Sequence, residues 1–476
     1  MAFKILSATF LQDGKHSFTL DFSKPENEIQ DSQFTLLIGK NGVGKSLILE
    51  AIIDFLFYVW VKEAGTIRVR FQKYISCTAL VYMINGAVCK LDGLKGPLHF
   101  YKNGKEHPVS PEWLPKIVAT SFSICDKFKV PRSFEREKWD FYKYIGAKVN
   151  GNMISPTSIL FTLLCNIASA SKEQLSRINN AVNAIGYELC ISFRFKLQAV
   201  NDKFTFNEAL NTFEMRAKET TYAGKKFRQL NFDEKQVLFD FYERIKENKE
   251  TISMSIDITD ENDLETKKHD VYALYKFRQM GIVNLSQISF RKVSEDYVSC
   301  IDMSSGEFNM LATIISVASV AEQNVLVLMD EPEISQHPSR QMSIIDYLDK
   351  CLKGQSCHLM IATYSNFLVS DLPMKRSEVL HLYKNKENLI ESKRIESNTY
   401  GWSAEEVLLK VFEVSTTRNR YLAGIVGELM NGISNDTMKM EDVQNKVSFL
   451  KNIVGNLNDI DPMKKIIETI IETFEE

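Results

Sequence analysis

Apolar positions change their period several times along the chain, and the changes divide it. Ser17 to Phe22 alternates polar and apolar side chains as a half-buried strand does, and Phe34 to Ile38 is an unbroken β-rich run suited to a parallel sheet covered on both faces. A helix is predicted from Lys45 to about Trp60. Short strands follow around 67–71 and 77–85, then a turn-rich basic stretch over 101–108 and another apolar strand at 116–122. From about 158 to 280 the pattern turns to long helical segments broken by brief strands. Asp233 to Lys249, with Val237, Leu238 and Phe241 on one face, is an example. Strand and helix alternate again from Ile288 to His381. The last 76 residues are helical in pattern: Ser403 to Glu406 forms a capping box, and Asp461-Pro462 opens a helix whose Met463, Ile466, Ile467, Ile470, Ile471 and Phe474 share one apolar face. The expected architecture is α/β, with a first part over 1–157, a helical insertion or lid over 158–280, a closing part over 281–400 and a helical tail over 401–476. No fixed-period repeat or low-complexity tract appears.

Composition narrows the class. Of 476 residues 44% are hydrophobic and 25% charged, which excludes global disorder, and 58 Lys and Arg against 61 Asp and Glu leave a net charge of −3. No wholesale polycation is available to coat nucleic acid or an anionic membrane. The eight cysteines are scattered without a CxxC pair, so reduced, mostly buried thiols are expected. Nothing near Met1 reads as a secretory signal, and the longest apolar stretch, Leu47 to Val61, contains Glu50 and Asp54. A cytoplasmic protein without a membrane partner is expected.

Three segments carry chemistry. Gly39-Lys-Asn41-Gly42-Val-Gly44-Lys45-Ser46 follows the Phe34 to Ile38 strand and opens a helix, the context that a Walker A phosphate loop requires. Its glycines let backbone N–H groups converge on phosphate oxygens, the helix start adds a favourable dipole, Lys45 neutralises β/γ charge and the Ser46 hydroxyl can ligate magnesium. Val325 to Glu333 is an apolar strand ending in carboxylates, the form of a Walker B site. Asp330 is expected to hold magnesium and Glu331 to polarise the attacking water. Ser304-Ser305-Gly306-Glu307 precedes a helix predicted over Glu307 to Glu322; alone it would be an ordinary serine cap, but just ahead of the acidic strand it reads as a second anion cradle. The implied cofactors are ATP and Mg2+.

Phosphate loop, SSGE and DEPE in this order resemble the ABC-type ATPases, and the DEPEISQHP string resembles their OLD, RecF-like and SMC-like branch. The resemblance implies a P-loop head and a homodimer or higher homo-oligomer. In it Ser304, Ser305 and Gly306 would meet the γ-phosphate held by the other copy, and Glu333 to Ser339 would touch that copy. The branch usually has a histidine after Thr363 as a switch on the γ-phosphate; here Tyr364 stands there, so slow hydrolysis is expected, with the tyrosine hydroxyl as a neutral donor. A Q-loop glutamine stays unassigned between Gln72 and the segment 119–126. Lys127 to Lys148 interleaves seven Lys and Arg with aromatic residues, a composition that suits either nucleic-acid stacking or inward packing. The tail is too short for the nuclease domain of OLD proteins, and with 13 Asp and Glu against 8 Lys and Arg it is a poor DNA-binding arm. The strings at 118–127 (VATSFSICDK), 141–146 (FYKYIG) and 400–406 (YGWSAEE) resemble the PtuA-like ATPases of Septu antiphage defence. That resemblance implies a regulatory ATPase with no nuclease of its own and a separately encoded HNH nuclease (PtuB-like) partner, with nucleic-acid contact through the complex. Related retron and PARIS ATPases and DNA-clamping RecF/SMC-like repair proteins are the alternatives.

Overall fold

A computed structural model describes residues 3–22, 31–64, 74–93, 96–123, 126–131, 140–146, 148–150, 153–154, 159, 171–197, 204–207, 212–215, 227–248, 250–293, 297–320, 323–395, 399–412, 420–435, 438–455, 457 and 461–474. The strand expected at 67–71 and Gln72 lie outside them.

The unbroken apolar runs become the centre of the molecule. A seven-stranded sheet runs in the order Ile390–Ile395, Ser377–Lys384, Gln33–Ile38, Cys357–Ala362, Val325–Asp330, Lys116–Ser121 and Tyr142–Gly146. All neighbours are parallel except the edge strand Ile390–Ile395. Alternate residues of one strand enter two different cores. Val325, Val327 and Met329 join helices Lys172–Ala184, Ser305–Val320 and Ile344–Cys351 on one face, while Leu326 and Leu328 join helix Lys45–Ala64 on the other. A sheet covered on both faces has no polar face to show, and this is why its strands lack alternation.

The second core is shared with a six-stranded antiparallel sheet, ordered His16–Asp21, Lys4–Gln12, Ile75–Ile84, Ala87–Asp92, His99–Lys102 and Lys105–His107. Between the two ends of the central sheet, the described residues of the middle segment add a sheet to the expected helices. Tyr187–Leu197 pairs antiparallel with Ile252–Asp257 on one side and Val283–Lys292 on the other, and Tyr297–Ser299 closes the sheet. This sheet therefore runs past residue 280, where the helical insertion was expected to end. Helices Lys172–Ala184, Phe232–Ile245 and Glu261–Gln279 accompany it.

The tail builds its own small core from Leu422, Val426, Leu429, Val443, Val447, Leu450 and Ile467. In its terminal helix, Pro462–Thr473, Ile467 is buried while Ile466 and Phe474 remain exposed, so the apolar face is only partly covered. Cys77, Cys89, Cys190, Cys300, Cys351 and Cys357 are free and buried; Cys125 and Cys165 lie outside the described residues. No described helix is long and apolar enough to cross a membrane.

The basic and aromatic stretch from Lys127 to Lys148 packs inward where it is described. Phe141 stacks on Trp60 of the phosphate-loop helix at 5.0 Å between ring centroids, and Phe128 and Tyr142 are buried. For these rings the structure agrees with the inward packing and not with a stacking platform for nucleic acid: the core beside the helix already uses them. Residues 132–139, with Phe134 and Trp139, lie outside the described set.

Candidate functional site

The loops that follow the central strands at their carboxyl ends meet at one place, as expected where a parallel sheet is wound in both directions. Gly39 ends the strand Gln33–Ile38 with φ +146°, and a Cβ there would stand 2.2 Å from the Leu382 carbonyl oxygen, so the loop leans on a neighbouring strand's backbone. Gly42 (φ +77°) and Gly44 (φ +114°) also take conformations that side chains resist. Asn41 lies between Gly39 and Gly42, and Lys45 and Ser46 open the helix.

One hydrogen bond joins this loop to the acidic strand, and a second closes the loop on itself. The Ser46 hydroxyl donates to Asp330 Oδ1 at 2.8 Å, and the Lys45 ammonium donates to the Gly39 carbonyl at 2.8 Å beside Asp330, Glu331 and Glu333. Burial pushes Asp330 up to about 7, against the Ser46 hydrogen bond and with the help of the Glu331 charge. Burial also lowers Lys45 to about 8, although the three carboxylates favour its charge. A hydroxyl and a carboxylate oxygen facing each other are hard donors that fit Mg2+, which takes one or two protein oxygens and completes its shell with water and phosphate. Among the described residues no cluster of three His, Cys, Asp or Glu could hold a metal without such help.

Glu331 has φ +52°, a left-handed conformation uncommon for a residue with a side chain, and its N–H donates to the Ala362 carbonyl at 2.9 Å. The chain thus turns sharply right after Asp330. Glu333 does something the sequence did not suggest. Its Oε1 accepts the Thr363 hydroxyl at 2.6 Å and the Tyr364 N–H at 2.8 Å, clamping the loop after the strand Cys357–Ala362. Tyr364 presents its ring, 3.3 Å from the Lys45 Nζ, where a hydroxyl donor had been expected to matter.

Asp126 was also missed, in the segment left unassigned at 119–126. It is buried, accepts the Tyr144 hydroxyl at 2.5 Å and the Phe128 N–H at 2.6 Å, and its charge raises Asp330. Gly146 lies against the Ser121 carbonyl with no room for a Cβ, so this corner is tightly closed. The signal available was an acid just beyond a strand end; its neighbour Asp330 is fixed only by the strand order.

Ser304, Ser305 and Gly306 bond to their own helix start and to the loop after the acidic strand. Ser304 caps the helix Ser305–Val320, its Oγ accepting the Glu307 N–H at 3.2 Å while Glu307 accepts the Ser304 N–H at 3.2 Å. Both serines are exposed. Gly306 is buried under the loop after the acidic strand: its carbonyl accepts from Gln336 Nε2 at 2.8 Å, and an added Cβ would stand 2.5 Å from the Ser335 carbonyl oxygen. Arg340 holds Glu307 at 3.0 Å. Gly306→Ala is expected to cost about 1–3 kcal/mol, the usual price of overpacking, read as a lowered denaturant midpoint. An unchanged midpoint would mean that the loop simply moves aside.

A family model described as an AAA ATPase domain matches residues 97–369, more than half of the chain. The chain belongs to the AAA ATPase domain family. The matched span takes in Ser304 to Gly306, Asp330, Glu331 and Tyr364, and membership makes the protein a P-loop ATPase with a mixed α/β head. The chain is also similar to Protein ea59 of Escherichia phage lambda, 29% identical over 121 residues, which are 25% of this chain and only 22% of ea59's length. Among solved structures it is similar to the SMC head domain from Thermotoga maritima (9% identity, 83% of this chain, 100% of that one, TM-score 0.36). It is also similar to an SmcHead bound to the C-winged helix domain of ScpA (12% identity, 82% and 98%, TM-score 0.35).

Proposed function

We propose that this AAA ATPase domain protein binds ATP and Mg2+ between Gly39 to Ser46 and Asp330, as a homodimer or higher homo-oligomer. The observation that carries the reading is the Ser46 to Asp330 hydrogen bond, which sets the magnesium-type oxygens of the loop and the acidic strand against each other. Backbone N–H groups around Gly39, Asn41, Gly42 and Gly44 take the phosphates, Lys45 balances their charge, and Ser46 and Asp330 hold the ion. Glu331 polarises the attacking water, and Ser304, Ser305 and Gly306 of a second copy complete the site. Hydrolysis is slow, because the segment after Thr363 offers an aromatic ring where a histidine would act.

The cellular role we propose is that of the regulatory ATPase of a Septu-like antiphage complex in the cytoplasm, restraining a separately encoded HNH nuclease. The three strings that carry this resemblance are bonded around the site. The first two meet through Asp126 and Tyr144, and the third roots the tail on the short helix Asn366–Ser370 that follows Tyr364. There Thr399 donates to the Val369 carbonyl at 2.6 Å and Gly401 to the Ser370 carbonyl at 2.9 Å. The middle segment, whose sheet runs on to Ser299, serves as a lid, the chain from there to 400 completes the head, and 401–476 docks the partner or a further copy. The test is co-purification of neighbouring gene products with and without ATP, followed by a nuclease assay. An HNH protein retained and silenced by this chain is the expected result. Tight ATP-dependent binding of free duplex DNA by the chain alone would overturn it.

A further inference from the structure

Lys45 is covered from two sides. Its ammonium donates to the Gly39 carbonyl at 2.8 Å, and the Tyr364 ring centroid lies 3.3 Å from Nζ, well inside cation–π range. Between them they leave Lys45 only 3% exposed, whereas Tyr364 is 39% exposed and so forms the solvent side of the stack. The Gly39 carbonyl is fixed, because the loop leans on the backbone of the strand Ser377–Lys384. Of these two covers, only the ring faces solvent.

We infer that Tyr364 sets the nucleotide affinity of the site, because its ring and a phosphate compete for the same face of Lys45. This rests on the reading that Lys45 receives phosphate. Every anion that engages the lysine must first displace an aromatic face, and the energy of that contact is subtracted from binding. The ring is held in place by the clamp on its own backbone: Glu333 accepts the Tyr364 N–H and the Thr363 hydroxyl, so the acid two residues beyond Glu331 is the positioning residue for the cover. Displacement has somewhere to go. The helix Asn366–Ser370 begins two residues later, and it carries the root of the tail through Ser370 to Gly401 and Val369 to Thr399.

The experiment is an equilibrium titration of the full chain with a magnesium complex of a non-hydrolysable ATP analogue. It compares wild type with Tyr364→Leu, Tyr364→Ser, Tyr364→Phe and Lys45→Ala. Removing the ring in Tyr364→Leu is expected to tighten binding about three- to thirtyfold, the size of a desolvated cation–π contact. Tyr364→Ser, which also lacks the ring, is expected to move the same way, and restoring a ring in Tyr364→Phe to bring the affinity back. Binding that requires Lys45 but is no tighter in Tyr364→Leu and Tyr364→Ser would overturn this inference alone. So would a Tyr364→Phe variant as tight as Tyr364→Leu, because the hydroxyl would then be the active group. Binding that Lys45→Ala leaves unchanged would overturn the nucleotide reading and this inference with it.

Discussion

Lys45→Ala is expected to weaken magnesium-nucleotide binding by about 2–5 kcal/mol, roughly thirtyfold to several thousandfold, the cost of truncating one member of a buried charge pair. The size follows from the local charge balance. Asp330, Glu331 and Glu333 all act on Lys45, and each favours its charge. Phosphate oxygens brought into the same space would meet three carboxylates with only the magnesium ion to offset them. The helix start at Lys45 contributes a partial positive charge, but a dipole of this kind supplies about 0.3–2 kcal/mol and cannot replace a full charge. The backbone of the loop is set mainly by Gly39, Gly42 and Gly44, so the variant is expected to fold, with a lowered thermal midpoint because the ammonium no longer holds the Gly39 carbonyl. Titration and thermal melting on the same preparation separate the two effects. A dissociation constant within threefold of wild type in a folded variant would show that phosphates do not reach this lysine.

The parts of this site that were legible in the sequence are the contiguous ones. The glycine loop, the strand before it and the helix after it occupy one stretch of chain, so spacing alone carries their geometry. The same holds for Val325 to Glu331, whose uninterrupted apolar run announces a strand covered on both faces. What stayed hidden depends on strand order or on a side-chain torsion. Asp126 faces the acidic strand because Lys116–Ser121 pairs with Val325–Asp330, a pairing across about 200 residues that no local pattern encodes. Glu333 reads as part of an acidic turn until the strand Cys357–Ala362 is known to lie beside it. Tyr364 was legible as a replacement for a histidine, but whether its ring or its hydroxyl turns toward Lys45 is decided by rotamer and packing. The middle segment shows a third kind of loss. Phe193 and Phe195 alternate with Arg194 and Lys196 as a strand requires, yet the partner strand Val283–Lys292 lies some 90 residues away, and helices on both sides dominate the reading.

Glu378→Ala is expected to destabilise the chain by about 3–5 kcal/mol, the cost of leaving a buried charge without its partner. Lys4 Nζ lies 2.7 Å from Glu378 Oε1, and the two side chains are 2% and 4% exposed. The Thr35 hydroxyl donates to the same carboxylate at 3.0 Å and lies 2.9 Å from His358 Nε2, while His358 Nδ1 accepts the Ile5 N–H at 3.1 Å. Burial and the Lys4 charge hold the imidazole well below its usual range, hence neutral, which leaves Nδ1 free to accept and makes Nε2–H the donor to Thr35. The network crosses a junction: Lys4 and Ile5 open the first strand of the antiparallel sheet, whereas Thr35, His358 and Glu378 belong to three adjacent strands of the central sheet. Removing Glu378 takes from the buried Lys4 ammonium the carboxylate it is paired with, and the 3.7 Å contact of Arg394 with the same carboxylate is lost as well. The double change Lys4→Met with Glu378→Leu removes both charges and fills the space with apolar volume, and it is expected to recover most of the loss, since buried ion pairs replaced in this way are often neutral or better. Urea unfolding of the wild type, the single and the double variant measures both steps. A single-variant cost below about 1 kcal/mol would mean that water already reaches Lys4, and the two sheets would then be held together by their shared apolar core alone.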